Sequence, residues 1–345
     1  MKISTNVSNK IMVSSISKSW ELNFKYVLSI FLVALMFSVN SINAQTLFDD
    51  DDEDETDSTE TSMFEFNSDN NLLPGSKMMK KFMEHPFAEI QYGMNNSSYK
   101  IDNITGFNND FSPAGSFKLK IGDLNLKTTK ADGILKYNAS YFALTHFSSE
   151  IGQSDSDSNQ IRFNAWRISL FADDEGYAYK LGEDSYLALY RGSSINWNWL
   201  DLDDVYSKNS NDTLSPNNDL AKQAMSNFGE QARFGNSFEA GLKAKIAGGV
   251  GISASYERSM IFPRVLFFKY AVSSITEGIA LSITNSFVKK VLKSSPDYAP
   301  IVNFVLKNAI SFGFYELTSK NMNWPLNTTA PLMMDSYRIG ITFDM

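Results

Sequence analysis

The fold is decided by residues 337–345, Tyr337-Arg338-Ile339-Gly340-Ile341-Thr342-Phe343-Asp344-Met345. Apolar side chains at 337, 339, 341 and 343 alternate without a break with polar or small ones at 338, 340, 342 and 344. Such a two-residue period is typical of a β-strand, because successive side chains point to opposite faces. A lipid-facing apolar side opposite an inward polar side is typical of a transmembrane barrel, so we predict a closing barrel strand here.

The same stretch resembles the C-terminal assembly signal of bacterial outer-membrane proteins. The residues that carry the resemblance are Arg338, Gly340, Phe343 and Met345, although the family more often ends in Phe. The resemblance implies a Gram-negative outer-membrane β-barrel that the barrel-assembly machinery inserts, Bacteroidota-like in its Asn43-Ala44-Gln45 junction. It points to no narrower family.

Residues 1–44 predict a cleaved secretory signal peptide. Four lysines precede the apolar run 26–39, and Ala44 suits a cleavage site. This run is shorter than the about 20 residues that a membrane-spanning helix needs. The chain contains no cysteine and only two histidines, so we expect no disulfide, no structural zinc and no cofactor.

Residues 45–75 contain a dense acidic run that predicts a disordered periplasmic tail. Residues 76–345 then form one domain, since no linker divides them. No basic patch is present, which argues against a nucleic-acid partner. We therefore predict an all-β membrane protein, an antiparallel up-and-down barrel in the outer membrane.

Eight strands are predicted, at 87–94, 116–126, 134–145, 161–172, 177–199, 237–247, 250–259 and 336–343. The fifth is twice as long as a spanning strand needs to be, and splitting it would give ten strands as the alternative. Short connections at 127–133, 173–176 and 248–249 alternate with long ones. Because short turns are typical of the periplasmic side, both termini are expected in the periplasm.

Charged residues of both signs share the predicted inward face: Lys118, Lys120, Glu239, Lys243, Lys245, Glu257, Arg338 and Asp344. An eight-stranded barrel is only wide enough for side chains to fill. We therefore predict that six of them pair with one another as structural ion pairs: Lys118, Glu239, Lys243, Glu257, Arg338 and Asp344. On the third strand, the inward side is predicted to hold Lys136, Asn138 and Ser140.

Residues 262–317 abandon the strand period and predict a helical insertion before the last strand. One apolar face is formed by Val265, Phe268, Val272, Ile275, Ile279 and Ile283. A surface this apolar requires a cover. A plug, a cap over the barrel mouth and a docking hairpin for lipid or another outer-membrane protein all remain open.

One short element suggests an enzyme. Residues 144–150 resemble the His-aromatic-Ser element of outer-membrane lipid A 3-O-deacylases. The resemblance implies His146 as general base, Ser148 as nucleophile and Glu150 as the orienting acid. The family's Asn after the serine is Ser149 here, and the predicted inward face holds His146, whereas a lipid hydrolase needs an outward site.

These observations favour a non-enzymatic structural or accessory subunit of the outer membrane, whose helical insertion engages a partner protein or lipid. A lipid A deacylase-like hydrolase and a narrow transporter or channel are the alternatives.

Overall fold

Eight antiparallel strands close into a barrel in which each strand pairs with its neighbours in sequence and β8 returns to β1. The computed structural model describes residues 85–99, 111–150, 162–202, 226–229 and 231–344. The strands are β1 Pro86–Tyr99, β2 Ala114–Thr128, β3 Ile134–Ser148, β4 Phe163–Lys180, β5 Tyr186–Leu202, β6 Arg233–Ala247, β7 Val250–Ile261 and β8 Leu332–Asp344. The prediction of eight strands is confirmed, and the alternative of ten is wrong.

The closing strand β8 has the predicted polarity. Ile339 and Ile341 are exposed on the outside, whereas Arg338 and Thr342 are buried within the barrel. Ile341 lies opposite Ile90 of β1 and Ile252 of β7, so the outer surface stays apolar across the closure. The alternation of the last residues therefore sorts its side chains between lipid and interior.

The boundary between β4 and β5 differs from the prediction. The sequence predicts a turn at residues 173–176, but they lie inside β4, and the turn is at 181–185. The register shifts between Leu170 and Asp173, and Phe171 has a φ of +50°. One extra residue in β4 forms a β-bulge there. Because a bulge reverses which side chains point inward, the strand pattern looks interrupted in the sequence.

The two ends of the barrel have different connections. At one end, called the turn end, the strands are joined by residues 129–133, 181–185 and 248–249. At the other end, called the loop end, the connections are 100–113, 149–162, 203–232 and 262–331. Both β1 and β8 meet the turn end with their outermost residues, Pro86 and Asp344.

The insertion before β8 contains two helices, α1 Phe267–Ser294 and α2 Ala299–Thr318, joined by a short 3-10 turn at Pro296–Tyr298. We call α1, the turn and α2 the hairpin. It leaves β7 at the loop end, yet the hydroxyl of Tyr179 near the turn end donates to the carbonyl of Asp297, 2.7 Å away. The hairpin therefore runs along the outside of the barrel and neither plugs nor caps it. Among the described residues, no single helix is long and apolar enough to span a membrane.

Some predictions concern residues outside the described ranges. These are the signal peptide at 1–44, the acidic tail at 45–75 and the terminal Met345 of the assembly signal.

Candidate functional site

The barrel interior contains a network of ion pairs centred on Glu257 of β7. Its two carboxylate oxygens lie 2.7 Å from Lys118 Nζ, 2.7 Å from Arg167 Nη1 and 3.0 Å from Arg338 Nη1. Lys118 also contacts Glu239 at 2.6 Å. These five side chains come from β2, β4, β6, β7 and β8, because inward positions of different strands converge on the barrel axis.

The network continues toward the turn end. Lys120 Nζ lies 2.8 Å from Glu239 and 3.2 Å from Asp174. Lys243 lies 3.0 Å from Asp344 and 4.0 Å from Glu89. We call these ten charged residues the lumen network: Lys118, Lys120, Arg167, Lys243, Arg338, Glu89, Asp174, Glu239, Glu257 and Asp344. The five positive charges are matched by five negative ones, so the buried set is neutral.

Tyrosine hydroxyls complete the hydrogen bonding of the buried carboxylates. Tyr141 donates to Asp174 at 2.9 Å, Tyr190 to Glu239 at 3.0 Å and Tyr186 to Asp344 at 2.7 Å. Buried charges require such partners, since an unpaired charge away from water costs several kcal/mol.

The loop end of the interior is apolar. Its buried cluster comprises Tyr99, Phe111, Ala114, Phe147, Phe163, Ala165, Leu200, Phe228, Ile261, Leu332 and Met334. Two of its aromatic rings come from the connections: Phe228 packs edge-on against Tyr99, and Phe111 packs edge-on against Phe163. The connections therefore help to close this mouth of the barrel.

The turn end of the interior is lined by aromatic and small residues. Tyr137 stacks on Tyr190 with ring centroids 5.7 Å apart, and Phe87 packs edge-on against Tyr141. Alanines fill the spaces between the rings. The interior is thus apolar at the loop end, while toward the turn end charged side chains and aromatic rings are interleaved, as where Lys243 Nζ lies 4.5 Å from the Phe87 ring centroid.

A second set of charges lies on the outside of the barrel, beneath the hairpin. Arg191 of β5 points outward, since its neighbours Tyr190 and Gly192 occupy inward positions. Its Nε donates to Ser311 Oγ at 2.6 Å, and its Nη2 lies 3.1 Å from Glu277. Arg191 is 5% exposed although it lies on the lipid-facing side of its strand, because the two helices cover it.

Glu175 of β4 extends this covered cluster. Lys307 of α2 lies 3.0 Å from Glu175, and Arg191 lies 3.8 Å from the same carboxylate. The hydroxyl of Ser311 donates to Glu277 at 3.2 Å, which joins α2 to α1. We call Glu175, Arg191, Glu277, Lys307 and Ser311 the wall cluster.

Nearer the loop end, α2 contacts β7 and β8 in a similar way. Arg258 lies 2.9 Å from Glu316 and 3.4 Å from Asp335. Its guanidinium lies over the rings of Phe312 and Tyr315, and Tyr315 donates to Asp335 at 3.2 Å. An apolar cluster between the hairpin and the barrel includes Met260, Phe262, Tyr315, Met322 and Met333, and Leu266 and Tyr270 pack against it.

In α2 the polar residues face the barrel and the apolar ones face away, whereas α1 exposes most of its large apolar residues together with Lys289, Lys290 and Lys293 near its end. The predicted apolar face is exposed at each position: Val265, which precedes α1, and Phe268, Val272, Ile275, Ile279 and Ile283 within it. The buried positions of α2 include Asn303, Lys307, Ser311, Tyr315 and Thr318, whereas Ile301, Val305 and Phe312 are exposed. This arrangement is the reverse of a helix packed on a water-soluble core.

The predicted catalytic residues His146, Ser148 and Glu150 lie at the loop end of β3. His146 points outward and stacks against Trp166, with ring centroids 4.4 Å apart. Ser148 accepts a hydrogen bond from the backbone N–H of Glu150 at 3.3 Å. Within the described residues no hydrogen bond joins His146 to Ser148, and no group of three or more potential metal ligands is found.

The polarity predicted for β3 is wrong. Tyr137, Ala139 and Tyr141 are the inward residues, whereas Lys136 and Ser140 are exposed. The reason is that Tyr141 reaches the lumen network through its hydroxyl and Tyr137 stacks on Tyr190 inside the barrel, while the lysine and serine lie on the outside. His146 consequently lies on the outer side.

Lys245 is the predicted interior residue that stays apart from the others. It is half-buried and makes no ion pair with another described residue. Conversely, the sequence prediction omits Glu89, Arg167 and Asp174 of the lumen network, and the whole wall cluster. Glu89 and Arg167 lie in strands with clean alternation, so their inward parity is a signal that could have found them.

A closed sheet with a charged interior and an apolar exterior defines an outer-membrane-type β-barrel, since a soluble protein distributes these residues the other way round. No family model matches the chain, and no curated protein matches it. Similar solved structures include the Neisserial surface protein A (NspA), at 10% identity over 75% of this chain and 97% of that one, with a TM-score of 0.32. Ail of Yersinia pestis, the attachment invasion locus protein, has 11% identity over 76% and 100%, with a TM-score of 0.27. Overlaps this weak add nothing to what the strand pairing shows.

Proposed function

We propose that the protein is a non-conducting integral outer-membrane barrel that serves as a structural or accessory subunit. The filled interior carries this proposal. The lumen network is formally neutral, its side chains are nearly inaccessible to solvent, and apolar and aromatic side chains pack around it. A solute would have to separate several buried ion pairs to pass, and breaking one such pair costs about 3–5 kcal/mol.

The orientation in the proposal places both termini in the periplasm. Short connections at the turn end and long ones at the loop end support it, because outer-membrane barrels have short periplasmic turns. Arg338, Gly340 and Phe343 of β8 resemble the assembly signal, so the barrel-assembly machinery is the partner during insertion. In this role the hairpin engages a partner protein or lipid.

The proposal is tested by recording conductance across planar lipid bilayers that contain the purified protein. Folding is verified first, by the shift in gel migration on boiling that stable barrels show. We expect the conductance of a bare bilayer, while a porin recorded in parallel gives channel steps. Reproducible single-channel openings from the folded protein would exclude the proposal and favour the channel alternative.

The second readout is location. Washing membranes with alkaline carbonate or urea should leave the protein in the pellet, as expected for strands that cross the bilayer. Release into the supernatant would contradict an integral barrel.

A further inference from the structure

We propose that the hairpin lies within the bilayer as a second layer on the barrel, with its outward apolar face in contact with lipid acyl chains. The inference rests on the proposed function, since it requires that the barrel crosses the membrane. It assigns one occupant, lipid hydrocarbon, to the exposed surface of α1 and α2.

The first support is the continuity of the apolar surface. Away from the hairpin, the outside of the barrel exposes Ile90, Tyr92, Phe117, Ile121, Ile339 and Ile341. Under the hairpin, β4, β5 and β7 instead place Glu175, Arg191 and Arg258 outward. The apolar surface resumes on the far side of the helices, at Ile275, Ile279 and Ile283 of α1. The apolar outer surface therefore continues past β4, β5 and β7 only when the outer faces of the helices are counted as part of it.

The second support is the direction in which the helices turn their polar residues. Lys307 and Ser311 of α2 and Glu277 of α1 point at the barrel, where each has a partner of opposite charge or a hydrogen bond. In water, this arrangement would bury the charges and expose the isoleucines, which the hydrophobic effect opposes. In hydrocarbon the same arrangement is favourable, because polar groups must then be satisfied within the protein.

The third support is length. The 20 residues of α2 span about 30 Å at 1.5 Å per residue, which equals the thickness of a hydrocarbon core. Contacts at Tyr179 near the turn end and at Arg258 nearer the loop end place α2 along the height of the barrel. Among the described residues, no helix is long and apolar enough to span a membrane by itself. That criterion averages the hydropathy over both faces of a helix. In the hairpin one face of each helix packs on the barrel, so only the other face would contact lipid.

The test uses single cysteines, since the chain has none of its own. The variants are Ile275→Cys and Ile283→Cys on the hairpin, Ile339→Cys on the barrel's outer face and Lys130→Cys in a turn. Each is labelled with an environment-sensitive fluorophore and reconstituted in phosphatidylcholine vesicles that contain mid-chain doxyl-labelled phosphatidylcholine. Quenching by the doxyl group reports contact with acyl chains, and quenching by iodide reports water.

We expect the labels at 275 and 283 to be quenched by doxyl lipid to within about twofold of the label at 339, while only the label at 130 responds to iodide. Quenching at 339 by lipid but at 275 and 283 by iodide would overturn the inference and leave the barrel in place. Shielding of 275 and 283 from both quenchers would also overturn it, in favour of a protein partner or a second copy. If 339 itself is not in lipid, the proposed function fails.

Discussion

Arg191 of β5 and Glu277 of α1 form an ion pair of 3.1 Å on the outside of the barrel. A charge at the lipid face of a barrel strand costs about 2–4 kcal/mol near the middle of the bilayer. Glu277 and Ser311 remove this cost by covering the guanidinium. Arg191 on the strand therefore needs the hairpin as its cover, and Glu277 on the hairpin needs Arg191 as its counter-charge.

Replacing one partner of this pair should destabilise the protein more than replacing both. Glu277→Leu leaves Arg191 covered without its nearest charge, and we expect a loss of about 3–5 kcal/mol in the free energy of unfolding. Arg191→Leu together with Glu277→Leu should recover most of it, since apolar residues often replace a buried pair without cost. Urea unfolding in vesicles, followed by tryptophan fluorescence, measures both.

Glu316→Leu is the matched control for Glu277→Leu. Glu316 pairs with Arg258 at 2.9 Å, but its side chain is 53% exposed. We expect it to lose less than about 1 kcal/mol, as exposed pairs do. Equal small losses in Glu277→Leu and Glu316→Leu would mean that the wall cluster is open to solvent.

Glu257→Gln should destabilise the barrel strongly. Three basic side chains, Lys118, Arg167 and Arg338, share this carboxylate. Without its charge they repel one another in a buried site, and we expect a loss of about 3–5 kcal/mol. The temperature at which the heat-sensitive gel band disappears should fall accordingly. Lys245→Gln, at a lysine with no described ion pair, should change stability by no more than about 0.5 kcal/mol. A loss in the control as large as in Glu257→Gln would contradict the assignment.

Gly241→Ala should also destabilise the barrel. A Cβ at this position would overlap the ring of Tyr190, whose hydroxyl donates to Glu239 at 3.0 Å. Displacing the ring costs about 1–3 kcal/mol, as overpacking does. Gly278→Ala is the control, since nothing lies within 4 Å of a Cβ there and the residue is in α1. It should be neutral or stabilise by about 0.4–1 kcal/mol. Similar effects of the two variants on thermal stability would argue against the Tyr190 contact.

His146→Ala should leave lipid A unchanged. His146 stacks on Trp166 and has no described hydrogen bond to Ser148, so the pair lacks the contact that activates a serine. Mass spectrometry of lipid A from cells that express the wild type, His146→Ala or Ser148→Ala should give one common pattern. A modification present in the wild type and lost in both variants would establish the hydrolase alternative.

The barrel is predictable from the sequence because polar and apolar side chains alternate through most of β2, β6, β7 and β8. Lys118, Glu239 and Glu257 can therefore be placed in one interior from their strand parity alone. The exact boundary of β4 cannot be placed in this way, since a single extra residue at Phe171 reverses the pattern and no local residue type announces it.

The wall cluster illustrates a different limit. Arg191 occupies an outward position of β5. In the sequence alone it interrupts the apolar pattern expected of the lipid-facing side of a barrel strand. Its partner Glu277 is 86 residues further along the chain. Neither the two-residue period of β5 nor the helical period of α1 therefore indicates that the two residues pair. A rule that outward charges in a barrel strand predict a covering element would have linked the helices to β5.

The contacts of α2 with the last two strands tie the hairpin to closure of the barrel. Tyr315 bonds Asp335 of β8, and the next residue, Glu316, pairs with Arg258 of β7. β8 follows α2 in the chain after residues 319–331 and pairs with β7. Pairing of β8 with β7 and packing of α2 on the barrel therefore depend on some of the same side chains. We therefore expect that a protein whose β8 has not paired with β7 also leaves the outward charges Glu175, Arg191 and Arg258 uncovered.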